Sequence, residues 1–221
     1  MKIEAIIFDN DGVILNTEMM WGEVWAIIAK KHNCPSFAKA HNCIVGINGE
    51  EAREAIFNYL KDLPRNQVEM MVKEAREYGF EYINNNVEKM PYLDEILNYI
   101  ESKNIRKMIA TNTDREVSYI RLNKHNLIER FEYVLCGDEI KNRKPNPEIY
   151  IKACKMLNVN PKNTVVVEDS KYGVIAATKA GCNVIGVPSV NEFDLETKEK
   201  TIATVNNLKD AINIIDKLLS W

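Results

Sequence analysis

Four short stretches carry side chains suited to chemistry: Asp9-Asn10-Asp11-Gly12, Thr111-Asn112, Lys141-x-x-Lys144-Pro145 and Glu168-Asp169. They offer four carboxylates, a hydroxyl, an amide and a lysine. That set suits phosphoryl transfer, which needs a carboxylate nucleophile, a second carboxylic acid for the leaving group, hard oxygen ligands for Mg²⁺ and fixed donors for phosphoryl oxygens. Two other readings fail on spacing. A calcium-binding EF-hand loop needs a third acid between the Asp pair and the glycine, yet Gly12 follows Asp11 directly. Gly181-x-x-x-x-Gly186 continues as Val187-Pro188 and lacks the lysine of a nucleotide phosphate loop.

These residues are useful only if the chain brings them together, and the hydrophobic pattern says how. Ile3 to Phe8 reads as a buried strand that ends at Asp9, with Gly12 as the breaker. Thr17 to Glu88 reads as helical, with Trp21, Trp25 and Ile28 at i, i+4, i+7 and a capping box at Asn48-x-x-Glu51 before Ile56, Tyr59 and Leu60. After Pro91 strands and helices alternate. A helix over 92–102 leads to a strand over 107–111, then to a helix opened by a Thr113-x-x-Glu116 capping box and a strand over 133–136. A helix from Pro147 to Leu157, a strand over 164–167 and a helix from Ser170 closed by Gly181 come next. A strand over 183–187, a strand over 201–205 and a helix over 208–219 complete the chain.

Such alternation predicts an α/β fold: a doubly wound parallel sheet, Rossmann-like, with an all-helical cap domain inserted after the first strand. The expected core is residues 1–14 and 89–221, and the expected cap is 15–88. In an open α/β sheet, ligands bind where loops leave the carboxyl ends of the strands, and all four stretches sit at such ends.

The order and spacing of these stretches resemble the haloacid dehalogenase superfamily, in its phosphatase and β-phosphoglucomutase branch, across nearly the whole chain. Phe8-Asp9-Asn10-Asp11-Gly12-Val13 looks like its first motif, Thr111-Asn112 its second, Lys144-Pro145-x-Pro147 its third and Val167-Glu168-Asp169-Ser170-x-x-Gly173 its fourth. The fourth extends through Val174 to Gly181 in a manner typical of that branch. Asn16 departs from the pattern, where Asp is usual.

The resemblance implies a role for each residue. Asp9 attacks phosphorus as nucleophile, and Asp11 protonates the leaving oxygen and then activates water. Thr111 and Asn112 donate to phosphoryl oxygens, and Lys144 supplies positive charge. Mg²⁺ would be held by Asp9, the main-chain carbonyl of Asp11 and Asp169, with Glu168 in or beside that set. The cap loop Val45-Gly46-Ile47-Asn48-Gly49 resembles the substrate loop of β-phosphoglucomutase, so Gly46 and Asn48 are expected to face substrate, and Arg53 follows one turn later.

Composition narrows the partners. Of 221 residues, 46% are hydrophobic and 28% charged, with net charge -3 and pI about 5.8, so no basic field recruits nucleic acid. No apolar run approaches the ~20 residues of a membrane span, and no signal-peptide pattern opens the sequence. A cytoplasmic monomer acting on a small phosphorylated metabolite is expected. Five scattered cysteines without a C-x-x-C pair suggest reduced, mostly buried thiols. Trp21 and Trp25 are read as helix packing rather than a substrate platform, and His32, His41 and His125 have no ligand spacing.

The leading function is Mg²⁺-dependent hydrolysis of a phosphate monoester through an aspartyl-phosphate. A sugar-phosphate mutase at the same site is the alternative, and a non-catalytic binding protein is the alternative of another class.

Overall fold

In the computed structural model, residues 2–45 and 49–220 are described. The first strand, β1 (Ala5–Phe8), is apolar and buried at every position because it pairs on both edges, as the centre of a parallel sheet requires. Between it and β2 the chain inserts four helices, α1 (Thr17–Lys31), α2 (Pro35–Ala40), α3 (Gly49–Tyr59) and α4 (Arg65–Asn86), followed by α5 (Leu93–Ser102). Strands and helices then alternate: β2 (Arg106–Ala110), α6 (Arg115–Asn123), β3 (Val134–Leu135), α7 (Glu148–Met156), β4 (Thr164–Glu168), α8 (Lys171–Lys179), β5 (Asn183–Gly186), α9 (Leu195–Glu199), β6 (Ala203–Thr204) and α10 (Leu208–Leu219).

The six strands are all parallel, in the order β3-β2-β1-β4-β5-β6. After β1 the chain builds outward through β2 and β3, then returns to lay β4 against the other edge of β1. The order therefore reverses between β1 and β4, which makes that boundary the topological switch point where a crevice opens.

One face of the sheet buries Ile7, Met108, Leu135 and Val166 against Ile149, Ala153 and Cys154 of α7 and Val174 and Ala177 of α8. Each fully buried aliphatic side chain contributes about 1.5–3 kcal/mol, so this layer fixes the height at which the strand ends emerge. α5 packs against β2 and α10. Ser170 caps α8 by accepting from Gly173 N at 3.0 Å, and Gly181, at φ +85°, ends it in the left-handed region that glycine tolerates.

Met1–Leu15 with Lys89–Trp221 form one compact unit and Asn16–Glu88 another. The helical unit has its own core, in which Trp25 stacks on Phe37 with ring centroids 4.4 Å apart amid Val24, Ile28, Ile56, Phe57 and Met71. Trp21 is partly buried against the same cluster, and α4 passes close to it at Gly79, where a Cβ would lie 2.3 Å from the indole. Both tryptophans pack in this core.

The structure corrects the start of α6. Its N-cap is Asp114, without a side-chain cap bond, and the Thr113 hydroxyl donates instead to Asp11 Oδ2 at 2.7 Å. A charged acceptor makes the stronger hydrogen bond, so the expected Thr113-x-x-Glu116 box does not form. The other expected box, at Asn48, lies outside the described residues, as do the substrate-loop positions Gly46 and Asn48. The short helix α9 was not foreseen. All five cysteines are free, and only Cys43 is exposed. Among the described residues no helix is long and apolar enough to cross a membrane.

Candidate active site

The register pairs Phe8 with Ile109 of β2 and with Val167 of β4. The following residues, Asp9, Ala110 and Glu168, therefore emerge side by side at the switch point. Lys144, buried in the loop before α7, joins them. Its Nζ donates to Asp9 Oδ1 at 2.6 Å, to Glu168 Oε1 at 2.7 Å and to the Ala110 carbonyl at 3.1 Å. An ammonium has three donors, and all three are used. Asn112 Oδ1 accepts from the Lys144 main-chain N at 3.0 Å, which holds the lysine loop against the end of β2.

Glu168 is gripped from both sides. Besides Lys144, its Oε1 accepts from the Tyr150 hydroxyl at 2.8 Å. Its Oε2 accepts from the main-chain N of Asp169 and Ser170 and from Ser170 Oγ, at 3.0–3.1 Å. A carboxylate has about four acceptor sites, so these five donors saturate it. Gly173 makes room for it, since a Cβ there would lie 1.7 Å from Oε1.

Asp169 is buried and accepts from Ser189 Oγ at 2.5 Å. Asp9, Glu168 and Asp169 can each offer an oxygen within 4.8 Å of the others. Gly12, at φ +80°, carries the chain past this group, and a Cβ there would meet Asp169 Oδ2 at 2.0 Å. The donor set fits a hard divalent cation. Charge leads to the same conclusion, because three carboxylates crowd a buried space and repel one another. Burial pushes the Asp9 carboxyl up to about 7; Lys144 pulls against this, and the Glu168 and Asp11 charges add to it. Burial opposes the Lys144 charge as well, but the Asp9 and Glu168 carboxylates outweigh it and hold Lys144 above the ordinary lysine range.

Asp11 stands at the edge of this cluster. Its Oδ2 accepts from the hydroxyls of Thr111 at 3.1 Å and Thr113 at 2.7 Å, and its Oδ1 lies 3.6 Å from Arg121 NH1. The fold thus brings together Asp9, Asp11, Thr111, Asn112, Lys144, Glu168 and Asp169. Sequence reasoning missed Thr113, Arg121, Tyr150 and Ser189. Thr113 carried only a helix-cap signal, which points elsewhere. Arg121, Tyr150 and Ser189 carried none. Arg53 is exposed and paired with Glu69 at 2.7 Å and Glu50 at 3.5 Å.

A switch-point cluster of this kind, on a six-stranded parallel sheet interrupted by helices after β1, defines a hydrolase fold built around a strand-end aspartate. Residues 6–187 match the haloacid dehalogenase-like hydrolase family, and the chain belongs to it, as an enzyme of the phosphatase type. It is 32% identical over 221 residues to a phosphorylated carbohydrates phosphatase of Thermotoga maritima, covering 98% of this chain and 100% of that one. It is 26% identical to the β-phosphoglucomutase of Bacillus subtilis, covering 84% and 83%. A solved Thermotoga maritima structure, provisionally described as a β-phosphoglucomutase, superposes with TM-score 0.75 at 31% identity over 97% of this chain and 99% of that one. Family membership implies a divalent metal.

Proposed function

We propose that this enzyme hydrolyses the phosphate monoester of a small phosphorylated carbohydrate, with Mg²⁺, through an aspartyl-phosphate on Asp9. The observation that carries the reading is the buried Lys144 bridge between Asp9 and Glu168 at the switch point. It keeps one Asp9 oxygen hydrogen-bonded and leaves the carboxylate oriented for attack. Bond formation between an Asp9 oxygen and phosphorus breaks the bond to the leaving oxygen, which takes the departing electron pair and a proton from the Asp11 carboxyl. The alcohol leaves. Water then attacks the phosphorus, gives its proton to Asp11 and displaces Asp9 as carboxylate, releasing phosphate.

Thr111 and Asn112 bind the phosphoryl oxygens in this reading, and Lys144, held by Asp9, Glu168 and the Ala110 carbonyl, lends them its positive charge. Asp9, Asp169 and the Asp11 carbonyl hold the metal, which supplies charge stabilisation for the transferring group. Glu168, with its oxygens already taken, serves from beside that set by fixing Lys144. Residues 1–14 and 89–221 act as the catalytic core, and 15–88 as the cap that selects substrate.

The mutase reading has support in the β-phosphoglucomutase relatives. It requires a cation for the second phosphate of a bisphosphorylated intermediate. Val45 and Gly49 stand where that family carries basic residues, and Arg53 is engaged by Glu50 and Glu69. Phosphatase is favoured on that ground. The test is a panel of sugar phosphates and other alkyl monoesters with Mg²⁺, including β-glucose 1-phosphate with a trace of the 1,6-bisphosphate, followed for free phosphate and glucose 6-phosphate. Phosphate release is expected; rapid isomerisation with little phosphate would establish the mutase instead.

A further inference from the structure

Asp11 has to present its carboxyl to the leaving oxygen and then to water, so whatever fixes its orientation limits both steps. Thr113 and Arg121 lie outside the four motifs and bear on this carboxyl from two sides. The Thr113 hydroxyl donates to Oδ2 at 2.7 Å, closer than the 3.1 Å of Thr111. Arg121 faces Oδ1 at 3.6 Å and is only 3% exposed. An arginine is seldom buried without an acidic partner.

Both residues are themselves held. The Thr113 main-chain N donates to Thr111 Oγ1 at 3.0 Å, and its carbonyl accepts from Gly137 N at 2.9 Å. Gly137 lets the two loops close, since a Cβ there would lie 2.0 Å from the Asn112 carbonyl oxygen. Arg121 sits on the inward face of α6 with Ser118 and Leu122, and the Ser118 hydroxyl reaches the Thr113 carbonyl at 3.4 Å. The loop after β2 and the helix that follows it thus form one support for a carboxylate carried by β1.

We infer that Thr113 and Arg121 are positioning residues that clamp the Asp11 carboxyl, and that proton delivery to the leaving group depends on them. The inference rests on the acid–base role proposed for Asp11. Positioned acid–base catalysis is worth about 10²–10⁴-fold, and only a leaving group that departs as a strong base needs the proton. In kcat/KM, which ends with departure of the leaving group, a displaced Asp11 therefore penalises an alkyl monoester and spares p-nitrophenyl phosphate, whose leaving group is stable as its anion. The later water step slows equally for both.

The experiment compares kcat/KM for p-nitrophenyl phosphate and for the best sugar phosphate of the panel, in wild type, Thr113→Val, Arg121→Met, Arg121→Lys and Asp11→Asn. Thr113→Val and Arg121→Met should lose about 10–100-fold on the sugar phosphate and under about threefold on the aryl ester, with Arg121→Lys recovering most of the loss. Retained aryl turnover also shows that each variant is folded, and Thr113→Val decides the matter alone if Arg121→Met does not fold. Equal losses on both substrates, or no loss on the sugar phosphate while Asp11→Asn shows the split, would overturn the clamp and leave the Asp11 role standing. Absence of the split in Asp11→Asn would overturn both.

Discussion

Replacing Lys144 by Met tests the centre of the site most directly, since the thioether fills similar space and carries no charge. At an effective dielectric of ~20, each of the lysine's ion pairs, 2.6 Å to Asp9 and 2.7 Å to Glu168, represents about 6 kcal/mol of gross attraction. Their net worth is far smaller, because burying the three charges costs most of it. What the variant inherits is two buried carboxylates with oxygens no more than 4.8 Å apart, repelling each other by at least about 3.5 kcal/mol. Breaking a buried pair by removing one partner costs about 3–5 kcal/mol, and that loss is expected at pH 7.5 in metal-free urea unfolding with an unchanged m value. The pH dependence has a definite sign. A carboxyl whose folded pKa is raised above its unfolded value stabilises the fold when protonated, and that stability is lost as pH rises through the folded pKa. The penalty of the variant should therefore shrink between pH 7.5 and 5.5, where protonation relieves the repulsion. A loss under about 1 kcal/mol at pH 7.5, or a penalty that grows on acidification, would refute the reasoning.

Asp9→Asn keeps the volume but removes the nucleophile, and turnover should fall more than ~10³-fold with an unchanged circular dichroism spectrum; near wild-type rates would exclude the covalent route. Chelation should stop turnover, with Mg²⁺ restoring it and Ca²⁺ doing so poorly because its longer, more numerous contacts disturb in-line geometry; full activity in chelator would contradict the metal assignment. In the helical unit, burial pushes His41 down from 6.5 to about 4, with the Glu18 carboxylate 3.7 Å from Nε2. A depressed histidine pKa means the unfolded chain binds the proton first, so about 3 kcal/mol of stability present above pH 6.5 should be lost as pH falls toward 4. Tryptophan fluorescence reports it, since Trp25 lies 5.9 Å from His41 between ring centroids, and His41→Phe should flatten the slope; equal slopes would place the titration elsewhere.

Much of the fold was legible because parallel sheets write themselves plainly. Central strands carry continuous apolar runs, Ala5–Phe8 in β1 and 165–167 in β4, and the residue after each run is at a strand end. That logic was enough to bring Asp9 and Glu168 to one place, while Lys144 was placed by the order of the motifs. The edges were less legible: β3 and β6 are only two residues long, shorter than their sequence patterns suggested. The supporting contacts were not legible at all. Thr113 satisfies the helix-cap pattern, and nothing local reveals that a carboxylate 102 positions away competes for its hydroxyl. Arg121 sits on a helix of nine residues, where a lone arginine is expected to be solvated, and only the folded chain shows it buried. Tyr150 reads as an ordinary core aromatic, yet its hydroxyl is spent on Glu168.

These supporting residues divide the charge of the site into two sets with different needs. Asp11 faces a fixed protein cation in Arg121 and accepts from two hydroxyls, so its charge is met within the chain. Asp9, Glu168 and Asp169 share one ammonium, and Glu168 takes five donors for itself. The charge left for a metal to meet is therefore that of Asp9 and Asp169, which accept from Lys144 and Ser189. A divalent cation neutralises that remainder, whereas a monovalent one leaves a buried negative charge. Gly12 carries the chain after Asp9 so close to Asp169 that an added Cβ would lie 2.0 Å from its Oδ2, so backbone geometry holds the two acids close against their mutual repulsion. A bound dication would relieve that repulsion and, in the proposed mechanism, keep the Asp9 carboxylate ionised.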